Sequence, residues 1–343
     1  MRTIIATTPA EFARQIEGHD RVFVVRDQRL DFERCAPWLP ASARVMGEHA
    51  LASGEAAKDL ESIAQAWKAL MEAGADRNTL LCAFGGGSTT DAAGFIGATF
   101  KRGMPVALVP TTVVGMVDAS IGGKTGINFN DLKNQIGTFS PPIAIGIAPH
   151  WLETLPARER LSGWMEMLKH AYIDGPEAVE RAHRVEALED LAGMIADSAQ
   201  VKVRVVEADP EERGMRKALN FGHTVGHALE AAAWEAGRPI AHGLAVGFGM
   251  AFALRASVEL GAGLRKEQAD AALERLRFWL ADTPVPEAAP ETLWAAMQHD
   301  KKNRDGVVME VWLADWGEPR WDQPLKKEDF QRIWSKTRAE FAR

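Results

Sequence analysis

Cysteine is scarce in this chain: of 343 residues, only Cys35 and Cys82 carry a thiol. They form no C-x-x-C and no ladder of spacings, which excludes a disulfide scaffold and points to a reducing, cytoplasmic setting. Long apolar runs are lacking as well. The longest uncharged one, Leu244 to Leu254, stops at Arg255, well short of the ~20 residues a membrane-spanning helix requires. The apolar run after Met1-Arg2 is too short for a signal peptide. Nor is there a surplus of positive charge. The formal net charge is −7, which argues against a general affinity for nucleic acid or an anionic membrane, so any anionic ligand must be met by local basic groups. Internal repeats and low-complexity segments are absent.

What is present suffices for two domains, since single cores stop growing at roughly 250 to 300 residues. Hydrophobic content of 46% and charged content of 25% are ordinary for a globular chain. Val22 to Val25, closed by Arg26 and Asp27, reads as a first strand, and Asp27 at its end either contacts a ribose hydroxyl or caps a turn. Ala43 to Met46 reads as a second strand. Gly54-Glu55-Ala56-Ala57-Lys58 opens a helix to about Glu72, with Leu60, Ile63, Trp67 and Leu70 at spacings of three and four. Thr79 to Phe84 is a buried-type strand running into Gly85-Gly86-Gly87-Ser88-Thr89-Thr90-Asp91 and then a helix. Strand, glycine turn and helix let backbone amides approach a pyrophosphate, although the spacing is not G-x-G-x-x-G.

Pro105 to Val109 is a further strand, leading to Pro110-Thr111-Thr112. The passage from Val117 through Asp118, Gly122-Gly123-Lys124 and Gly126 to Lys133-Asn134 is polar and glycine-rich. Its length predicts a functional segment, with two lysines offered to phosphate. After a last strand at Ile143 to Ile147 the pattern turns helical, so the boundary falls near 150. The reading is an α/β Rossmann-like domain over 1–150 and an all-α domain over 151–343, with a cleft expected between them.

In the second half, Glu166, Lys169 and His170 share one helix face. His223 and His227, four apart, leave one face of a helix with Glu230 on the same side, and His242 follows in Ala-His-Gly. Two imidazoles with a carboxylate suit zinc or cobalt. Residue chemistry leaves the ligands open among Glu166, His170, His223, His227 and His242. Leu244 to Leu254 predicts a buried helix, Val307 to Leu313 a strand or hairpin, and Lys326 to Arg343 an amphipathic helix. The parts describe a metal- and NAD-dependent enzyme acting on an anionic polyol.

The ordered runs Gly85-Gly86-Gly87 to Asp91, Pro110-Thr111-Thr112, Val117 to Lys124, Lys133 to Gly137, Glu166 to Lys169, Arg216 to Glu230, His242-Gly243 and Asp300-Lys301-Lys302 resemble the 3-dehydroquinate synthase family of sugar phosphate cyclases. The resemblance implies a homodimeric lyase of the shikimate pathway. It would convert 3-deoxy-D-arabino-heptulosonate 7-phosphate to 3-dehydroquinate and phosphate with catalytic NAD+ and one divalent metal, Zn2+ or Co2+. In such a reaction the C5 hydroxyl is oxidised, phosphate leaves by elimination across C6, the ketone is reduced again, and an intramolecular aldol closes the ring. The same resemblance puts the metal on Glu166, His223 and His242. It implies substrate and catalytic roles for Asp118, Lys124, Asn134, Lys169, Lys202, Arg216, Asn220, His227 and Lys301. Around NAD+ it implies Glu55, Lys58, Gly86, Gly87, Asp91, Thr111, Thr112 and Lys133, and Asp27 and Lys124 join them as cofactor-binding candidates. Three departures stand out: Leu244 where the family commonly has Glu, Ser88-Thr89 in the glycine turn, and the nineteen residues from His223 to His242. They leave room for a valiolone- or inosose-forming cyclase, or for a metal-dependent polyol dehydrogenase.

Overall fold

The computed structural model describes residues 5–130, 132–299, 303 and 306–342. Lys301, assigned a substrate role above, lies outside them. The chain divides into two compact units, Met1–Leu155 with Ile195–Glu207, and Pro156–Met194 with Ala208–Arg343.

The first unit opens with β1 (Ile5–Ala6), α1 (Pro9–Gln15), β2 (Arg21–Asp27), α2 (Phe32–Cys35), β3 (Arg44–Leu51), α3 (Leu60–Glu72), β4 (Leu80–Gly85), α4 (Gly87–Thr99) and β5 (Val106–Pro110). It continues with β6 (Lys124–Phe129), β7 (Leu132–Phe139) and β8 (Ala144–Gly146). Six strands form one parallel sheet in the order β1-β8-β5-β4-β2-β3. β2 and β4 are buried along nearly their whole length, as parallel strands covered on both faces must be. Phe23 and Val25 of β2 join Ile63, Ala66 and Leu70 of α3 and Ala92, Ala93 and Ile96 of α4 in one core. The chain runs from β2 outward to β3, then returns to the other side of β2 as β4. Strand order therefore reverses between β2 and β4, and in open sheets of this kind ligands bind beyond the carboxyl ends of the strands at that reversal. Asp27 ends β2 and the glycine turn ends β4.

Three features of this unit escape periodicity. β1 is only two residues long and pairs with β8 at the sheet edge. The glycine-rich passage folds as an antiparallel hairpin of β6 and β7. α7 (Ile195–Ala208), placed after residue 150 with the second domain by its sequence position, packs as Ile195–Glu207 with the first. An amphipathic helix declares its buried face but not which sheet covers it.

The second unit contains α5 (Ala157–Asp174), α6 (Pro176–His183), α8 (His223–Glu235), α9 (His242–Glu259), α10 (Lys266–Trp279), α11 (Pro290–Gln298), a hairpin of β9 (Val308–Asp315) and β10 (Glu318–Leu325), and α12 (Lys327–Phe341). It is largely helical, and the hairpin covers part of α9. α9 is buried on all sides from Gly243 to Leu254, as its apolar run predicts. Two glycines bring the helices that matter into contact. Gly222 caps α8 in the left-handed region at φ 77°, where a Cβ would also meet Met250 at 2.6 Å. A Cβ on Gly243 would fall 1.9 Å from the carbonyl oxygen of Ser162 on α5. Among the described residues no helix is long and apolar enough to cross a membrane.

Candidate active site

In the second unit, three helices deliver the carboxylate and imidazoles singled out above. Glu166 on α5 is fully buried. Its Oε2 accepts from Lys169, one turn on and itself buried. Among the described residues its Oε1 has no hydrogen-bond partner, and it faces Nε2 of His223 at 3.8 Å and Nε2 of His242 at 3.5 Å. The far side of each ring fixes this orientation. Nδ1 of His223 lies 3.2 Å from the Phe221 carbonyl oxygen, and Nδ1 of His242 lies 3.0 Å from Glu230 Oε2. Both partners accept only, so both Nδ1 atoms carry hydrogen and each ring turns its Nε2 edge toward Glu166.

A carboxylate oxygen and two imidazole nitrogens converging on one point call for a cation among them, a metal ion or, in its absence, a proton on one ring. Ligand atoms 2.0 to 2.2 Å from a tetrahedral zinc ion lie roughly 3.4 Å apart, close to the separations seen here. The residues present therefore fit a divalent metal. Charge points the same way. Against burial, Lys169 and the imidazoles hold Glu166 well below the ordinary carboxylate range. Burial and Lys169 push His223 well down, keeping it neutral. Burial would lower His242 too, yet its bonds to Glu166 and Glu230 raise it to about 10.

His227 stands beside the pair, its ring centre 5.3 Å from that of His223 and 5.7 Å from that of His242, and its side chain is accessible. It is therefore placed to meet a ligand of the cluster. His170, buried one turn beyond Glu166, has a ring nitrogen within 4.8 Å of a Glu166 carboxylate oxygen, and His223, His227 and His242 gather as a separate cluster of imidazoles. Arg216 lies in a short 3-10 turn before α8, 2% exposed, with Nη1 donating to the Pro210 carbonyl at 2.6 Å. Asn220 in the same turn donates to Glu212 Oε1 at 2.9 Å, and Glu212 takes the left-handed conformation at φ 59°.

The first unit gathers the other candidates. Gly86 caps α4 and, having no side chain, makes no capping bond to the first-turn amides of the helix. Gly87 leaves no spare room, since a Cβ there would meet that of Ala119 at 3.0 Å. Thr111 and Thr112 follow β5, where the Thr112 hydroxyl accepts from the Gly115 amide at 3.1 Å. Asp27 accepts from the Arg29 amide at 2.9 Å and from Ser53 at 2.6 Å, so it caps its own turn at the carboxyl end of β2. Lys58, only 2% exposed, pairs with Asp91 at 2.8 Å and donates to the Asn134 side chain. Lys202 donates to the Asp118 carbonyl at 2.7 Å and to its carboxylate. Lys124 begins β6 with an exposed side chain, and Lys133 lies on β7.

Sequence reasoning overlooked Ser53 and Asn128, gave Glu212 no role, and gave Glu230 a place on the helix face without a partner. For Glu230 the signal was present: it lies seven residues after His223 and three after His227.

Two family models cover most of the chain. Residues 48–162 match the one described as 3-dehydroquinate synthase N-terminal, and residues 163–303 the one described as 3-dehydroquinate synthase C-terminal. The 3-dehydroquinate synthase of Parabacteroides distasonis is 39% identical over 319 residues, spanning 90% of this chain and 89% of that protein. Among solved structures, 2-epi-5-epi-valiolone synthase from Streptomyces hygroscopicus, with NAD+ and Zn2+ bound, superposes with a TM-score of 0.83 at 24% identity, covering 99% of this chain and 98% of its own. A 2-deoxy-scyllo-inosose synthase complexed with carbaglucose-6-phosphate, NAD+ and Co2+ gives 0.82 at 22%, covering 97% and 96%. At such identities these two show the fold alone.

Proposed function

The chain belongs to the 3-dehydroquinate synthase family, and from that premise we infer that it converts 3-deoxy-D-arabino-heptulosonate 7-phosphate to 3-dehydroquinate and phosphate. It is a carbon–oxygen lyase of aromatic amino acid biosynthesis that uses catalytic NAD+ and one divalent metal. The observation that carries the metal assignment is the buried Oε1 of Glu166, without a hydrogen-bond partner among the described residues and facing two oriented imidazoles.

On this reading Glu166, His223 and His242 hold the metal. When bound, the ion supplies Lewis acidity to neighbouring hydroxyls and the nicotinamide supplies a hydride acceptor whose hydride is returned within the cycle. The remaining residues bind and orient. Arg216, rigid in its turn, presents a planar fork suited to the substrate carboxylate. Lys124, Asn134 and His227 take the phosphate, and the substrate's C6 proton passes to a phosphate oxygen as the C–O bond to phosphate breaks. Asp118, Lys169, Lys202, Asn220 and Lys301 complete the substrate set. Asp27, Glu55, Lys58, Gly86, Gly87, Asp91, Thr111, Thr112, Lys124 and Lys133 serve the dinucleotide, a reading supported by the position of Asp27 and the glycine turn where strand order reverses.

The active form is proposed to be a cytoplasmic homodimer. Exposed Phe129, Ile136 and Phe139 on the β6–β7 hairpin support a subunit contact, and the buried free thiols of Cys35 and Cys82 fit a reducing compartment. The deciding experiment supplies purified protein, NAD+ and Co2+ with either the heptulosonate phosphate or sedoheptulose 7-phosphate. Phosphate release from the former without net NADH is expected. Release only from sedoheptulose 7-phosphate, or accumulating NADH, would overturn the assignment.

A further inference from the structure

Asn128 on β6 belongs to none of the residue sets above, yet its carboxamide is used at both ends. Nδ2 donates to Glu55 Oε2 at 3.0 Å, and Oδ1 accepts the backbone N–H of Asn134 at 3.1 Å. The amide's orientation follows from chemistry: an ionised carboxylate needs a donor and a backbone N–H needs an acceptor. Glu55 is such a carboxylate. Against burial, Lys58, Asn128 and Lys133 hold it below the ordinary range.

The position is built for this. Ile127 pairs with Ile136 and Phe129 with Leu132, so the ladder shifts register at Asn128, where one residue of β6 faces three of β7. Bulges of this kind re-aim side chains. Here Lys133 and Asn134 are turned out of the ladder, with Asn134 in the left-handed region at φ 54°. The Asn134 N–H has lost its strand partner, and the Asn128 side chain takes its place. A closed circuit results. Ser88, in the first turn of α4, donates to Glu55 Oε1 at 3.1 Å, and Glu55 binds Asn128, which holds Asn134. The Asn134 side chain accepts from Lys58, which returns to α4 through Asp91.

We propose that Asn128 is a positioning residue that couples occupancy of the dinucleotide turn to the placement of Asn134 on the β6–β7 bulge. The inference rests on the roles given above to Glu55 and Asn134. Binding that settles Ser88 and Glu55 settles Asn134 as well, so the dinucleotide and the phosphate group of the substrate tighten one another.

The test measures the Kd of NAD+ on the Co2+-loaded enzyme with and without saturating inorganic phosphate, alongside KM and kcat for the heptulosonate phosphate. In the unaltered enzyme phosphate tightens NAD+ by about fivefold or more. Asn128→Ala removes this linkage and raises KM about tenfold, the worth of one to two hydrogen bonds, with little change in kcat. Asn128→Asp keeps the acceptor for Asn134 but sets a carboxylate against Glu55, and it also loses the linkage. Adding Glu55→Gln to it restores every bond with the donor reversed. The new carboxamide donates its N–H to the new carboxylate while its oxygen still accepts from Ser88, and the linkage returns. Unchanged linkage in Asn128→Ala, no linkage in the unaltered enzyme, or no return in the double variant would each overturn the proposal. Failure of the unaltered enzyme to release phosphate from the sugar acid would instead reject the function on which it rests.

Discussion

Glu230 Oε2 sits 3.0 Å from Nδ1 of His242, and this contact decides which nitrogen of His242 faces Glu166. Leu244, one of the departures noted in the sequence, is buried at 1% exposure. The carboxylate that orients His242 comes from α8. Glu230→Ala is therefore expected to weaken metal binding about 10- to 100-fold, the usual cost of losing the outer partner of a metal-bound imidazole. Glu230→Gln, which can still accept from Nδ1, should recover most of it. Chelator competition followed by the visible spectrum of bound Co2+ measures both, and equal affinity in all three proteins would refute the role.

Metal binding should release a proton. Against the lowering effect of burial, Glu166 and Glu230 raise His242 from 6.5 to about 10, so near neutral pH the metal-free ring is charged and the metal displaces about one proton. Apparent affinity then rises roughly tenfold per pH unit as pH climbs toward that value. The sign for stability is opposite. A folded-state value above the unfolded one stabilises the metal-free protein fully below 6.5, and that stabilisation fades as pH rises through about 10. Calorimetry of Zn2+ binding in buffers of different ionisation heat reads the proton count.

Lys169 and Glu166 form an ion pair with both side chains essentially inaccessible. Lys169→Met leaves the buried Glu166 carboxylate with His242 as its remaining cation, which costs up to about 3 to 5 kcal/mol in the metal-free protein. Excess Zn2+ should return much of this by supplying the missing positive charge, so the variant's melting temperature should gain more from metal than the wild type's does.

Gly243→Ala tests the approach of α9 to α5. Its Cβ would lie 1.9 Å from the Ser162 carbonyl, so α9 must shift at the residue following His242. A stability loss of about 2 kcal/mol or more is expected, with weakened metal binding. Retained affinity and melting temperature would show that the helices tolerate the displacement.

Much of this was readable from residues alone. The strand, glycine turn and helix around Gly85 to Asp91 announced themselves by composition, and the buried α9 by an apolar run with no polar face. The i, i+4 pair His223 and His227 announced a helix face bearing imidazoles. Other parts were not readable, for identifiable reasons. Which imidazole joins Glu166 depends on how α5, α8 and α9 pack, and spacing within one helix does not contain that. The hairpin at Lys124 to Phe139 was masked by glycines and by a register shift at Asn128 that breaks period-two alternation. The two-residue β1 is too short to carry any period, and the return of α7 to the first unit depends on a tertiary contact, Lys202 with Asp118.

The central claim is that Glu166, His223 and His242 hold one divalent ion while His227 serves the substrate. Metal content per chain after equilibrium dialysis against Co2+, for wild type and for Glu166→Gln, His223→Ala, His227→Ala and His242→Ala, tests it most directly. About one ion per chain is expected in the wild type and in His227→Ala, and almost none in the other three. Loss of the metal in His227→Ala, or its full retention in any of the other three, would contradict the account.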